Sequence, residues 1–364
     1  MSEIAPQDIV CVIPCAGKGT RMQPLTYTRP KVLLPICNEP ILGHILQAVA
    51  QAGIRQVCLV VNPDHALLDE YLRTGTPGSL CVTLVDQPEA EGLGHAVLCA
   101  KDAVDGSAFI VCLGDSTYGD RIQDFVARFV RDYPKALLRL QRVAEPQHYG
   151  IAVLDAAGRV IEVEEKPPNP KSDLAITGVY GFQPTFYTAL KKTPPGRGGE
   201  IQITDAIQQV LRDEPGVWGE VFDGLWADCG RPQQFLAANE ALLGDLAGGV
   251  DPTAEVVGAP AGGNVRIGPG SRAEDVTFRG PVLIGRNCWL SHSTISGPCS
   301  INDGATVRGS VVCNAIVDRD ARIEGVAGGV WDSIVGVGAE LKGDGTNGSL
   351  VRAVVGDGAC LRLG

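Results

Sequence analysis

Apolar positions along this chain follow two different patterns. Up to about residue 245, continuous apolar runs alternate with helical stripes. The runs Ile9–Pro14, Gln56–Val61, Cys81–Asp86, Ala108–Leu113 and Ala136–Val143 predict strands buried on both faces. Between the first two, Ile41, Ile45, Leu46 and Val49 form a helical stripe that opens near Pro40 and stops at Gly53. Strand, helix, strand at this spacing predicts an α/β sheet with right-handed crossovers. Ligands of such sheets bind beyond the carboxyl ends of the strands. The glycine-rich stretch after the first strand and Gly114-Asp115 after the fourth both fall at that edge.

Beyond the linker Leu246–Pro252 the period changes. A pentad of one aliphatic residue followed by small or polar ones starts at Ile267, Ile284, Ile301, Val317, Val335 and Val355, in steps of 17, 17, 16, 18 and 20 residues. Each step is close to three hexads, one coil of a hexapeptide β-helix. Six-residue steps recur within coils, as at Ile295, Ile301, Val307 and Cys313. An inward aliphatic residue at every sixth position stacks into an apolar column, and small residues permit the tight corners. The expectation is two domains, residues 1–245 and 246–364.

Charge sharpens this picture locally. The chain has 364 residues and a net charge of −11, which argues against nucleic acid or an anionic membrane as its main partner. Yet Ile9–Asn38 contains no acidic residue while holding Lys18, Arg21, Arg29 and Lys31, which fits a segment that holds an anion. No apolar run is long enough to span a membrane, and Met1–Gln7 lacks the pattern of a secretory signal, so a cytoplasmic location is expected. Twelve cysteines include no Cys-x-x-Cys pair, and several lie in apolar runs (Cys11, Cys58, Cys81, Cys112). They read as reduced thiols acting as small hydrophobes.

The candidate chemistry begins at Ile13-Pro-Cys-Ala-Gly-Lys-Gly-Thr-Arg-Met, followed by Arg29-Pro-Lys31. A glycine-rich turn after a strand can offer backbone N–H groups to phosphates. This is neither a Walker loop nor a dinucleotide fingerprint, because the closing Gly-Lys-Ser/Thr and the third glycine are missing. Two fixed cations after the turn suit a triphosphate whose pyrophosphate must leave.

Here the chain resembles the sugar-1-phosphate nucleotidyltransferases, or NDP-sugar pyrophosphorylases. Further segments agree in family order: Gln87-Pro-Glu-Ala-Glu-Gly92-Leu-Gly-His-Ala96, Leu113-Gly-Asp115, Tyr149-Gly150, Glu164-Glu165-Lys166-Pro167, Thr177-Gly-Val-Tyr180, Gly199-Glu-Ile-Gln-Ile-Thr-Asp205 and Trp226-Ala-Asp228-Cys-Gly230. The resemblance implies a Rossmann-like mixed-sheet domain followed by a left-handed parallel β-helix. It implies transfer of a nucleotidyl group from UTP or dTTP to a sugar 1-phosphate, foremost glucose 1-phosphate. Ala16, Gly17, Gly19 and Thr20 would line the nucleotide phosphates. Arg21 and Lys31 would bind the triphosphate, with Arg21 on the leaving pyrophosphate. Gln87 and Gly92 would read a pyrimidine edge, and Asp115 and Asp228 would hold Mg²⁺. Gly150, Glu165 and Tyr180 would line the sugar pocket, while Lys166, assisted by Arg197, would bind the sugar phosphate. No general base is required, because the attacking phosphate oxygen is already anionic.

The resemblance mixes two subfamilies. Pro14-Cys-Ala-Gly-Lys and Gly92-Leu-Gly-His-Ala96 are similar to uridylyltransferases, whereas a β-helix tail is more usual in long thymidylyltransferases. Three alternatives stand beside the main reading: a mannose-1-phosphate guanylyltransferase, a non-catalytic sensor of sugar nucleotides, and a bifunctional enzyme with an acyltransferase tail. Retention of Arg21, Asp115 and Asp228 favours the enzyme over the sensor. His292 is the tail's single histidine, Lys342 its single lysine, and the usual Asn-His-Leu surroundings are absent, which disfavours acyl transfer. Small-molecule substrates and a homo-oligomer are the expected partners.

Overall fold

The computed structural model describes residues 4–119, 122–213, 216–258, 263–345, 348 and 350–363. The chain forms two compact units, Met1–Gly17 with Leu42–Trp226, and Lys18–Ile41 with Ala227–Gly364. Compactness therefore does not follow chain order. The basic segment 18–41 groups with the C-terminal unit.

The first unit carries β1 (Val10–Pro14), α1 (Ile41–Gln51, from Leu42 onward), β2 (Gln56–Val61), α2 (Ala66–Gly75), β3 (Cys81–Asp86), α3 (Leu93–Cys99), β4 (Phe109–Cys112), α4 (Ile122–Asp132) and β5 (Ala136–Arg142). There follow β6 (Gly150–Leu154), β7 (Val160–Glu165), β8 (Leu174–Phe182), α5 (Phe186–Lys192), α6 (Ile203–Asp213) and β9 (Val217–Val221). Among the described residues nine strands make one mixed sheet, in the order β7-β6-β8-β4-β1-β2-β3, with β5 also on β8 and β9 on β5. β1 is parallel to β2 and β4, and β2 to β3, so their carboxyl ends share one edge. β8 runs antiparallel to β4, β5 and β6.

The core of this unit gathers Val12, Val111, Leu138, Phe182, Phe186, Ile203 and Ile207 against the sheet. Phe182 and Phe186 stack at 3.7 Å between centroids. Each such ring contributes about 2–3 kcal/mol of apolar burial. Cys11, Cys58 and Cys112 are buried as expected, but Cys81 is exposed. It lies on β3, an edge strand of the sheet, and an apolar run does not reveal how many neighbours a strand has. None of the described cysteines is in a disulfide.

In the second unit, short parallel strands stack coil upon coil and form the β-helix. The register aligns three inward columns. One runs Ile267, Ile284, Ile301, Val317, Val335, Val355, the first residues of the six pentads. The second runs Ala273, Leu290, Val307, Ile323, Leu341 and ends on Leu361, which is exposed, and the third runs Phe278, Ile295, Val312, Val330. Corners take left-handed backbone, as at Gly270, Asn287, Gly304, Asp320, Gly338 and Gly358. Glycine, Asn and Asp tolerate that conformation, which accounts for the small-residue pentads. The helix Pro232–Leu243 packs on the coils and sets Asn239, fully buried, against Ser300. Among the described residues, no helix is long and apolar enough to cross a membrane.

Candidate active site

At the carboxyl edge of the first unit, Cys15 continues β1 by donating its N–H to Val60 O at 2.7 Å. Ala16 is buried. Gly17 is exposed, and a Cβ built there would meet nothing within 4 Å, so the start of the loop is open to a ligand. Asp115 follows β4 three residues beyond a buried Val111–Cys112. Burial raises the Cys15 thiol pKa, and the Asp115 carboxylate raises it further. Loop and aspartate are thus neighbours, as adjacent parallel strands require.

Gln87 follows β3 and is 6% exposed. Its N–H is held by Val61 O at 2.8 Å. Its amide Nε2 donates to Gly92 O at 3.2 Å and meets His95 Nδ1 at 3.2 Å. A backbone carbonyl can only accept, so the amide nitrogen must face Gly92. His95 Nδ1 must then accept, which places its proton on Nε2, beside Glu91 at 3.5 Å. With both N–H groups engaged, Gln87 retains Oε1, an acceptor, for a ligand. The turn is tightly backed. A Cβ on Gly92 would lie 2.8 Å from Glu200 Cβ, and one on Gly94 2.7 Å from Ile201 O. The partner of His95 is the residue expected to read the base.

The sugar-pocket candidates also converge. Gly150 and Glu165 are register partners on β6 and β7. A Cβ at 150 would approach Glu165 Oε2 to 3.1 Å, so glycine keeps that carboxylate accessible. Thr204 donates to Glu165 Oε2 at 3.3 Å, and Lys166 Nζ pairs with Oε1 at 2.9 Å. Lys166 adopts left-handed backbone (φ 44°), an uncommon conformation for a lysine and frequent at functional sites. Tyr180 is buried, and its phenol is raised by burial, then by Glu165 and Asp115. Asp205 is raised by burial, then by Glu165. Carboxylates at this edge therefore create a negative basin suited to sugar hydroxyls and a cation. The side chain of Arg197 lies outside the described residues.

In the second unit, Gly19 (φ 59°) leads into the short turn Thr20–Met22. A Cβ on Gly19 would lie 3.0 Å from Thr26 Cγ2 and 3.1 Å from Lys31 Cβ, and Thr26 Oγ1 donates to Gly19 O at 2.9 Å. Arg21 and Lys31 are thus carried on one packed knot, Arg21 exposed and Lys31 buried at 7%. Arg29 is turned inward and neutralised by Asp318 and Asp357. The basic segment therefore offers an anion fewer charges than its composition suggests. Asp228 is half-buried, accepts from Gln234 Nε2 at 3.3 Å, and is flanked by Gly230, where a Cβ would come within 3.1 Å of its Oδ1.

Among the described residues no three His, Cys, Asp or Glu side chains cluster as a metal cage. Mg²⁺ is commonly held by one or two carboxylates together with substrate phosphates and water. Asp115 and Asp228 supply hard oxygens of that kind. His292 is a corner residue of the β-helix (φ 48°), 67% exposed and 3.4 Å from Asp275, the equivalent corner one coil earlier. That position supports a structural role.

Residues 10–244 match the family model described as nucleotidyl transferase. A glucose-1-phosphate thymidylyltransferase of Streptomyces antibioticus is 35% identical over 85% of this chain and 87% of its own length. The low-salt glycan biosynthesis nucleotidyltransferase Agl11 of Haloferax volcanii is 32% identical over 97% of this chain and 99% of its own, so the likeness extends through the β-helix. A UDP-glucose pyrophosphorylase solved with UDP-glucose superposes with a TM-score of 0.60 and 27% identity, covering 64% of this chain and 98% of that one.

Proposed function

The chain belongs to the nucleotidyl transferase family and is a sugar-1-phosphate nucleotidyltransferase, and from that premise we propose that it joins glucose 1-phosphate to UTP or dTTP with release of pyrophosphate. The observation that carries the base preference is the Gln87 amide, whose two N–H groups are held by Gly92 and His95. The free Oε1 suits the N3–H donor of uracil or thymine. Cytosine presents an acceptor there and would be rejected.

The sugar phosphate oxygen attacks the α-phosphorus, forming one P–O bond while the bond to the bridging oxygen of the β-phosphate breaks. The bridging oxygen leaves with the pyrophosphate. Lys166 orients the attacking phosphate, and Glu165 accepts sugar hydroxyls beside the small Gly150. Arg21 and Lys31 bind the triphosphate and stabilise the charge that gathers on the leaving group. Catalysis rests on positioning and charge stabilisation, with no protein nucleophile. Asp115 and Asp228 would each offer a carboxylate to Mg²⁺, which when bound supplies Lewis-acid neutralisation of phosphate charge.

The test is a matrix of nucleoside triphosphates against glucose, mannose and other sugar 1-phosphates, with pyrophosphate measured with and without Mg²⁺. UTP or dTTP with glucose 1-phosphate should exceed CTP at least about 100-fold. No release from any pair would sink the proposal, and preference for GTP with mannose 1-phosphate would replace it with the guanylyl reading.

Replacing His95 by alanine frees the Gln87 amide to rotate. KM for UTP or dTTP should rise by roughly two- to tenfold, the range of one hydrogen bond, and discrimination against CTP should fall. Unchanged discrimination would remove His95 from base reading. We also expect a homo-oligomer, and a monomeric mass by light scattering would contradict it.

A further inference from the structure

Arg29 stands two residues before Lys31 in the signature segment, yet its guanidinium faces the β-helix. Its side chain is 10% exposed, and Nη2 bonds both Asp318, 2% exposed, and Asp357, at 3.1 Å and 15% exposed. These carboxylates lie 289 and 328 residues further along, on the fourth and sixth pentads. Thr28 Oγ1 adds a hydrogen bond to Asp357 Oδ2. The coils themselves complete both acids. Asp318 Oδ1 accepts from Asn302 Nδ2 at 3.0 Å and Arg319 N at 2.7 Å, and Asp357 Oδ1 accepts from Val337 N at 2.9 Å. At the far end of the segment, Asn38 Nδ2 donates to Ile301 O at 3.0 Å, and Asn239 Oδ1 receives Cys37 N at 3.0 Å and Ser300 Oγ at 2.9 Å.

Buried ion pairs are poor sources of net stability, because desolvation offsets most of the attraction. A guanidinium whose Nη2 is shared by two fixed acids instead favours one orientation. That orientation is passed along by packing, since Thr26 and Lys31 close on Gly19, the residue before Thr20-Arg21.

We propose that Asp318 and Asp357 are positioning residues for nucleotidyl transfer: through Arg29 and Thr28 they fix the segment 18–41, so that the β-helix is the template on which Arg21 and Lys31 are pre-set for the triphosphate. This rests on the reading of Arg21 and Lys31 given above. It assigns the tail a part in the reaction that requires neither acyl transfer nor effector binding.

The full-length double variant Asp318→Asn/Asp357→Asn tests it in two ways. Hydrogen exchange should accelerate in residues 18–41 and stay at the wild-type rate in coils 265–342. With glucose 1-phosphate and UTP or dTTP, kcat/KM for the triphosphate should fall about 10- to 100-fold, as expected of a small misplacement of binding groups. KM for glucose 1-phosphate should stay within about twofold of the wild type on the same reasoning. Arg29→Lys, which keeps the charge and loses the rigid guanidinium plane, should give an intermediate loss. If the double variant does not fold, Asp357→Asn and Thr28→Val singly replace it. Wild-type exchange in 18–41, or a loss that raises both KM values alike, overturns the proposal. A wild-type enzyme silent on every substrate pair overturns the catalytic reading instead, and the exchange data then still decide whether the clamp holds the segment.

Discussion

Asp115→Asn should reduce turnover by at least about 1,000-fold, close to 4 kcal/mol of transition-state stabilisation, while the protein stays folded. The large effect follows from what the carboxylate is proposed to do. Asparagine has nearly the same shape but brings a neutral amide where a hard anion should meet a divalent cation. Asp115 is half-buried in the negative basin it shares with Glu165 around Tyr180, so removing one charge weakens cation binding where little other charge replaces it. The measurement is pyrophosphate release across a Mg²⁺ titration, with a thermal melt as control. Partial recovery at high Mg²⁺ is expected, since a weakened site fills by mass action. Activity within tenfold of the wild type at ordinary Mg²⁺ would take Asp115 out of the metal site.

The features that converge on Asp115 were those most legible in the sequence. Strands at Gln56–Val61 and Cys81–Asp86 stand where the apolar runs put them, Val10–Pro14 and Ala136–Arg142 differ by one residue at one end, and Phe109–Cys112 is one residue shorter at each end. Continuous apolar runs with glycine punctuation report parallel neighbours well, and parallel neighbours fix which loops share an edge. The six pentads were equally legible, because one inward aliphatic residue per step is a condition of coil stacking. The antiparallel half of the sheet was not. β7 mixes charged and apolar residues, and β6, a short apolar run, takes its second neighbour, β8, from beyond β7 in the sequence.

Two kinds of information were hidden for a physical reason. Arg29 read as one of four cations available to an anion. Its true partners are hundreds of residues away, and nothing local to a Gly-Asp or Val-Asp corner marks it as an arginine acceptor. His95 accepts one N–H from Gln87, a tertiary contact without a local signature. Lys166 carries strained backbone that no glycine or asparagine announces. Sequence reports the residues that meet substrate, since their types are chemically constrained. It says little about those that hold them still.

Arg21→Ala should lower kcat by roughly 100- to 1,000-fold, the range seen when one preorganised donor to a developing charge is removed, with a much smaller change in KM for the triphosphate. The asymmetry is the informative part. Arg21 lies exposed on the short turn Thr20–Met22, and among the described residues it has no carboxylate partner, so its charge is available to a ligand. Lys31 differs in being buried behind Gly19 and Thr26, where it also serves the packing of the segment. In the ground state the triphosphate spreads its charge over several oxygens, and in the proposed arrangement Lys31 and a bound cation would meet much of it. As the bridging bond breaks, charge accumulates on the pyrophosphate, and a group there contributes mainly to the transition state. An interaction made chiefly in the transition state lowers kcat and kcat/KM together. Arg21→Lys should recover only part of the loss, because an ammonium lacks the planar fork that engages two phosphate oxygens. Steady-state kinetics in both directions, synthesis and pyrophosphorolysis, provide the check. Pyrophosphate is a substrate in the reverse reaction, so KM for pyrophosphate should rise there. A variant that raises KM for the triphosphate while keeping kcat would place Arg21 in ground-state binding and away from the leaving group.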